Sequence, residues 1–400
     1  PAVLKGIAGL VVLAVVFIAA AILGGGSSEE PSADSPAPVG GRPAPGEDPA
    51  GKAPAELGYP AFVTSNTTRV GGPEPASNAA GVALAVYPAV GEAQRPPAVV
   101  LVDGNDWQGG VAASVLMAAP LGAPLLIAEG DELPDPTGEA LDALDPQGGA
   151  ESGGAAAFAI GDAAAPDGLA TKRVVGADPA ATAAAIARLR DRLFERPPQH
   201  LVIASATDAA FALPAAAWAA RSGDPVLFAG RDALPKATAA ALRQYRNVPV
   251  YVLGPSSAIS SSVVRQIAEI NGRVRRVSGE TPVENAIALA RYSDGSFGWN
   301  VNDPGHGFVV ARADSPLDAI AAAPLSASGT WGPLLLTDSA DTLPAALRGY
   351  LLDVKPGYTT DPTRAFYNHV WVIGDEVAID VSQQAEIDEL AELAKIGGES

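Results

Sequence analysis

RVGGPEPASNAA (69–80), RVVGADPAATAA (173–184) and RVSGETPVENAI (276–287) are one phrase written three times. Arg-Val-x-Gly is followed each time by a proline at the sixth place after the arginine (Pro75, Pro179, Pro282) and an alanine at the tenth (Ala79, Ala183, Ala286). Arg69, Arg173 and Arg276 recur at an almost even spacing. That period is domain-sized, too long for a thin solenoid turn, so the chain carries three tandem copies of one module. Two further phrases recur in each copy. The first is GAPLLIAEGDELP (122–134), GDPVLFAGRDALP (223–235) and WGPLLLTDSADTLP (331–344). The second is AFAIGDAAAP (157–166), VYVLGPSSAIS (250–260) and VWVIGDEVAID (370–380).

The middle copy reads most clearly. LVIASA (201–206), PVLFAG (225–230), PVYVLG (249–254) and RVRRV (273–277) are short buried-type strands. Between them, 209–221, 234–245 and 259–270 are helical, and 282–292 repeats the helix at 179–194. Strands alternating with helices imply a parallel sheet covered on both faces and reached by right-handed crossovers. Pro179, Pro235, Pro282 and Pro344 suit first helical turns, where a fixed φ and a missing N–H cost nothing. In the first copy the stretch from Gly161 to Arg173 is only about half as long as that from Gly254 to Arg276, so its last helix is expected to be lost. The third copy carries polar insertions at 293–306 and 355–365, expected as loops. The fold class is α/β, in three tandem parallel-sheet modules at 59–170, 171–271 and 272–393, with a tail at 394–400.

The chain of 400 residues is 48% hydrophobic and 18% charged, enough for ordinary cores. Its formal net charge of −19 argues against a nucleic-acid partner, since phosphate binding needs clustered Lys and Arg. It also opposes simple charge attraction to any other anionic polymer. There is no cysteine, which excludes disulfides, thiolate metal sites and cysteine nucleophiles.

Ile7–Leu23 is an unbroken apolar run. At ~1.5 Å per residue a helix there spans roughly 26 Å; Pro1–Leu4, with Lys5 reaching the headgroups, completes a ~30 Å core. A cleaved signal peptide is the rival reading, but its A-x-A pattern (Ala19–Ala21) lies inside the run. An uncleaved transmembrane anchor at 1–26 is therefore favoured. Lys5 before the run and Glu29, Glu30 and Asp34 after it place the N-terminus inside and the bulk of the chain outside. Residues 27–58 hold almost no large apolar side chain and are expected to form a disordered Pro/Ala/Gly-rich spacer. The expected location is the cell membrane, single-pass, with the C-terminal bulk extracellular or in the wall zone.

The RVxG phrase, PLDAIAAAPL (316–325), WGPLLLTD and the VWVIG…AI phrase resemble the type-2 cell-wall-binding repeats of Gram-positive surface proteins, over about 67–393. The resemblance implies small Rossmann- or Toprim-like modules in a pseudo-threefold arrangement within one chain. It also implies non-covalent tethering to wall polymers, with a cell-wall polymer or an envelope protein as partner. Asp318 falls where that family shows the aspartate of its Asp-Ala-Leu; counting back from Pro225 and Pro124 puts Phe211 and Gly110 at the equivalent places.

The candidate ligand-binding residues are Arg69, Arg173, Arg276, Asp314, Asp318 and Trp299. The arginines either pair with anionic groups, as a planar fork can, or anchor the fold by bonding carbonyls where strand meets helix. Asp103, Asp106, Asp208, Asp314 and Asp318 follow strand ends, where open α/β sheets bind ligands. Helix capping by Asp208 and Asp314 is the plainer reading of those two. Trp299 and Phe297, on a polar insertion, either stack on sugar faces or plug the loop onto its own domain. His200, His306 and His369 have no metal-ligand spacing, and His200 and His369 read as solvated edges. No P-loop, G-x-S-x-G or H-E-x-x-H is present, so no cofactor, metal or catalytic set is assigned. The reading is a non-enzymatic, membrane-anchored envelope protein that binds wall or surface glycopolymer. The alternatives are a cell-surface protein–protein scaffold and, behind it, a metal-dependent hydrolase.

Overall fold

A computed structural model describes residues 62–89, 91–328 and 332–396. The expected anchor at 7–23, the spacer at 27–58, Trp331 and residues 397–400 lie outside the described residues. Among those described, no helix is long and apolar enough to cross a membrane.

Three four-stranded parallel sheets share one strand order. The first is β4 (Leu125–Ala128), β3 (Val99–Asp103), β5 (Ala157–Ile160) and β6 (Thr171–Val174). The second is β8 (Val226–Ala229), β7 (Leu201–Ser205), β9 (Val250–Leu253) and β10 (Val274–Val277). The third is β12 (Leu334–Thr337), β11 (Gly307–Arg312), β14 (His369–Ile373) and β2 (Thr67–Val70), with the short antiparallel β1 (Phe62–Val63) outside β2. A separate short pair joins β13 (Gly357–Tyr358) to β15 (Ala394–Lys395). Core strands such as β3, β4 and β5 are apolar almost throughout, as parallel strands buried on both faces must be.

The arginine phrase does not begin a sheet; it ends one. β6 and β10 pair with β5 and β9, the last strands of the preceding unit, and β2 pairs with β14 from the opposite end of the described chain. Module boundaries at 171 and 272 therefore cut across two sheets, and residues 67–70 complete the third sheet rather than opening the first. The helices that follow, α1 (Pro75–Val86), α4 (Pro179–Phe194) and α8 (Pro282–Arg291), cross to the next unit. They pack on β4, β8 and β12 respectively. The three sheets are thus linked cyclically, and the start of the described chain closes the ring.

The second strand of each sheet is followed by α3 (Asp135–Leu144), α6 (Lys236–Gln244) or α11 (Ala345–Asp353). After the third strand come α7 (Ser261–Asn271) and α12 (Val381–Ala391), but no helix separates β5 from β6. The helices after the first strand are α2 (Trp107–Ala113), α5 (Ala209–Ser222) and α9 (Pro316–Ala321), with α10 (Ala323–Ala327) continuing α9. Each of α2, α5 and α9 touches the other two. Their inward faces are nearly all small: Ala112, Ala113, Ala212, Ala215, Ala216, Ala219, Ala319 and Ala321 are fully buried. A Cβ on Gly110 would stand 3.1 Å from Ile320 Cγ2, which measures how closely α2 and α9 approach. The alanine richness of the chain thus has a packing role where three units share one core.

Candidate functional site

The loops at the C-terminal ends of the strands are built alike. Gly104, Ala206 and Ala313 each donate an amide bond to the end of the neighbouring strand, at Ala128 (2.8 Å), Ala229 (2.8 Å) and Thr337 (2.9 Å). Aligned on these bonds, Asp318 corresponds to Phe211 and Gly109, so the place expected at Gly110 is one residue earlier. Gly161, Gly254 and Gly374 likewise donate to Val174, Val277 and Val70 at 2.9, 3.0 and 2.8 Å, all with positive φ.

The arginines of the repeated phrase serve these turns. Arg69 is 2% exposed. Its Nη1 donates to the carbonyls of Gly374 (2.7 Å) and Asp375 (2.8 Å), its Nη2 to Ile379 (2.7 Å), and its Nε to Gln384 Oε1 (2.7 Å). Burial pulls its pKa down, while Glu376, Asp375 and Asp380 oppose that. Arg276 donates to the carbonyls of Gly254 and Ile259, and Arg173, exposed, only to that of Gly161 (2.7 Å). Carbonyl anchoring is the alternative that the geometry supports, and Arg69 presents no free edge to a ligand. The second carbonyl in the other two units, Ile259 or Ile379, lies in the turn just before α7 or α12, and between β5 and β6 no such helix follows the turn.

At the third sheet these loops enclose a cleft of about 410 Å³, lined by Gly72, Asn78, Arg312, Asp314, Asp318 and Asp375 among others. It lies between the ends of β11 and β14, where the strand order reverses and open sheets take their ligands. Asp318 is 7% exposed; its Oδ1 accepts from Asn78 Nδ2 at 3.0 Å, while Asn78 Oδ1 accepts from the Gly72 amide at 2.7 Å. The crossover helix α1 is in this way tied to α9. Burial pushes the Asp318 carboxyl up to about 6; the Asn78 bond opposes the shift and Asp375 adds to it. Asp314 does not cap a helix. Ser315 holds that position, and Asp314 instead accepts two bonds from Arg312, at 2.9 and 2.6 Å. Those bonds hold its carboxyl below the usual range. Arg312 Nη1 is buried without a partner. Sequence reasoning missed Arg312, although its place two residues before Asp314 was the available signal.

The corresponding sites differ. In the first unit Asp106 caps α2, its Oδ1 accepting from the Gly109 amide at 2.8 Å. Its Oδ2 lies 2.2 Å from where a Gly109 Cβ would stand, so the carboxylate fills the space of an absent side chain. In the second unit Phe211 stands at that place, against Gly254, and Asp208 holds the N-cap position of α5 without the side-chain bond expected of a cap. Among the described residues no group of three or more His, Asp or Glu could hold a metal ion.

Trp299 is not among the residues that line the cleft. The insertion 293–306 covers the N-terminal ends of β7 and β9, where Phe297 is fully buried and stacks on Tyr251 at 3.6 Å. Trp299, half-buried, meets Trp218 edge-on at 5.7 Å. The loop is a plug on the second unit, held by aromatic packing. Gly298 allows its turn: φ is +100°, and a Cβ there would stand 2.2 Å from the Tyr292 carbonyl oxygen. His200 is not a solvated edge either, being 4% exposed under this plug. His369 is half-buried beside Trp371, and burial lowers its pKa.

The fold and the repeated turn define a class of cyclic, three-unit parallel α/β proteins, here with a cleft at the strand ends of the third sheet. The family described as cell wall binding domain 2 matches residues 173–264 and 276–384, just over half of the chain, and the protein belongs to it. Among solved structures it is similar to Cwp6 from Clostridium difficile (TM-score 0.65, 21% identity, covering 82% of this chain and 48% of that one). It is also similar to Cwp8 from Clostridium difficile (TM-score 0.61, 19% identity, 82% and 52%). The chain spans about half the length of these two proteins, and at such identities they establish the fold alone. No curated protein matches by sequence.

Proposed function

We propose that this protein binds a cell-wall glycopolymer outside the cell, held near the membrane by residues 7–23, and that the cleft of the third unit is where polymer is gripped. The observation that carries this reading is Asp318, a carboxylate kept 7% exposed at the strand ends of a wall-binding family member. Burying a carboxylate costs stability, and such residues concentrate where function needs them. Glu74, Asp314, Asp318 and Asp375 outnumber Arg312 along the cleft, which gives it acceptor character. It suits sugar hydroxyls, which donate to carboxylates, better than phosphates. Arg312 Nη1 supplies one further donor. Binding here needs no bond breaking. Asp314 and Asp318 remain the candidates; Arg69, Arg173, Arg276 and Trp299 are assigned to the scaffold.

The test is co-sedimentation of the full chain with purified, protein-free walls. Asp318→Asn and Arg312→Ala should each reduce the bound fraction at least several-fold while thermal melting shows an intact fold. Unchanged binding by both variants would move the site elsewhere.

A second reading, docking to an envelope protein, is favoured by one feature. Phe366, Tyr367 and Ile396 are 69%, 57% and 57% exposed around the third unit's second insertion. Binding to walls only when surface proteins are retained would select it.

A further inference from the structure

At the opposite end of the strands from the cleft, three residues distant in sequence form a relay that the wall-binding reading does not use. His200 Nδ1 lies 2.9 Å from Asp224 Oδ2, and His200 Nε2 lies 3.0 Å from Ser296 Oγ. We infer that Ser296, His200 and Asp224 are a nucleophile, its general base and the base's positioning carboxylate, forming an esterase site at the base of the second unit.

The protonation pattern follows from the bonding. Asp224 is 1% exposed; its Oδ1 accepts from the amides of Gln199 (3.2 Å) and His200 (3.0 Å), and its Oδ2 from Trp218 Nε1 (3.1 Å). Among these three donors the carboxylate acts as an acceptor only. In the neutral imidazole the proton therefore sits on Nδ1, facing Asp224, and the Nε2 lone pair accepts from the Ser296 hydroxyl. This is the tautomer a general base needs, in an arrangement recognised by geometry and roles rather than by sequence position. The ring is fixed by edge contacts with Tyr251 (5.5 Å) and Phe297 (5.4 Å).

Ser296 itself is exposed. It sits on a tight turn in which the Asp294 amide donates to the Phe297 carbonyl at 2.8 Å, beside Gly295 at φ +66°. It opens into a cavity of about 580 Å³ that Tyr251, Asp294, Arg273 and Arg275 also line. That volume is in the usual range for a small-molecule site. The serine belongs to an insertion that the third copy alone carries, so the relay is no part of the repeated scaffold. Asp294 is paired with Arg275, which leaves Arg273 as the excess charge on the cavity wall. In a chain of net charge −19, that wall selects an ester bearing an anionic group.

In the first step Ser296 Oγ attacks the ester carbonyl carbon and its proton passes to His200 Nε2. The carbonyl-to-alkoxy bond then breaks, the leaving alcohol takes the proton from Nε2, and the acyl group stays on Ser296. Water, deprotonated by the same nitrogen, attacks the acyl-serine, releases the carboxylic acid and restores the hydroxyl.

The full chain is treated with a fluorophosphonate probe and digested for mass spectrometry, and turnover of p-nitrophenyl acetate and of p-nitrophenyl hemisuccinate is measured. The expected result is one covalent adduct, on Ser296, absent from Ser296→Ala, with turnover in that variant lower by at least about 100-fold. Because Ser296 is exposed, the variant should melt as the wild type does. Asp224→Asn, which forces the wrong tautomer, should slow both labelling and turnover, and the hemisuccinate should show the lower KM. Absence of an adduct on Ser296, undiminished turnover in Ser296→Ala, or an unchanged labelling rate in a folded Asp224→Asn would each overturn the assignment. None of these outcomes depends on wall binding.

Discussion

Asp318 shows how one side chain links stability, pH and binding. Its folded pKa of about 6 lies above the ordinary 3.8, so the native state holds a proton that the unfolded state releases between those values. Stability contributed by this group is then greatest below pH 4, falls as pH rises to about 6, and is flat above. Asp318→Asn keeps an oxygen to accept the Asn78 bond without the charge. It should stabilise the fold by up to about 3 kcal/mol at pH 7 and by little at pH 4, measured by urea titration at both. A variant that is more stable yet binds walls less well would identify a residue retained for binding. The three arginines should rank by their bonds. Arg69→Ala leaves three carbonyls and Gln384 without their donor and should cost about 3 kcal/mol or more. Arg276→Ala should cost less. Arg173→Ala should change stability by less than about 1 kcal/mol, being exposed with a single bond.

At the scale of elements, the N-terminal strand decides whether the ring is closed. β2 pairs with β14 along its whole length, and α12 holds it from the side. Gln384 Nε2 donates to Thr67 Oγ1 at 2.8 Å, and Asp388 Oδ1 accepts from the Asn66 amide at 2.8 Å. A chain beginning at residue 71 would lose these bonds together with Arg69 and leave β14 as a bare parallel edge. Hydrogen exchange should then rise in 307–312 and 369–373 well before it rises in 99–103 or 201–205, and size-exclusion chromatography should show self-association. Uniform loss of protection would mean that the third unit does not depend on this closure. The plug loop supports a second expectation. Phe297→Ala removes a fully buried ring from a cluster of Tyr251, Trp218 and Tyr292 and should destabilise the chain by about 3–5 kcal/mol. Wall binding at the cleft should be unchanged once the variant is folded, a result that co-sedimentation below its melting temperature can check.

Taken as a whole, the molecule approaches its partner against its own charge. At −19 it repels an anionic polymer over a Debye length of about 30 Å in 10 mM salt but only about 8 Å at physiological strength. Association with anionic walls should therefore strengthen as salt rises from about 10 to about 150 mM, the reverse of a basic binder, in the same sedimentation assay. A fall over that range would show that local arginines, not the overall field, govern contact. The parallel α/β class, the three copies and the shortened first copy were legible because the repeated phrases mark strand ends and helix starts, which depend on local pattern. Asp318 was legible for the same reason, as a carboxylate just past a strand. β10 was read with the middle copy, where it pairs; that β6 and β2 also join the sheet before them was not legible, because these strands read alike whether they pair forward or back, and only the hydrogen-bond partners distinguish the two. Burial was equally hidden. Arg69 and Arg173 share a phrase, yet one is sealed beneath α12 and the other exposed, since a helix present in one copy is missing from the other. His200, Asp224 and Ser296 meet although they come from widely separated stretches of the chain. Sequence alone thus determined the kind of unit and its number, through short-range periodicity. The ring closure, the fate of each arginine and the meeting of distant polar groups came from tertiary structure, because those contacts depend on which surfaces of the three units face one another.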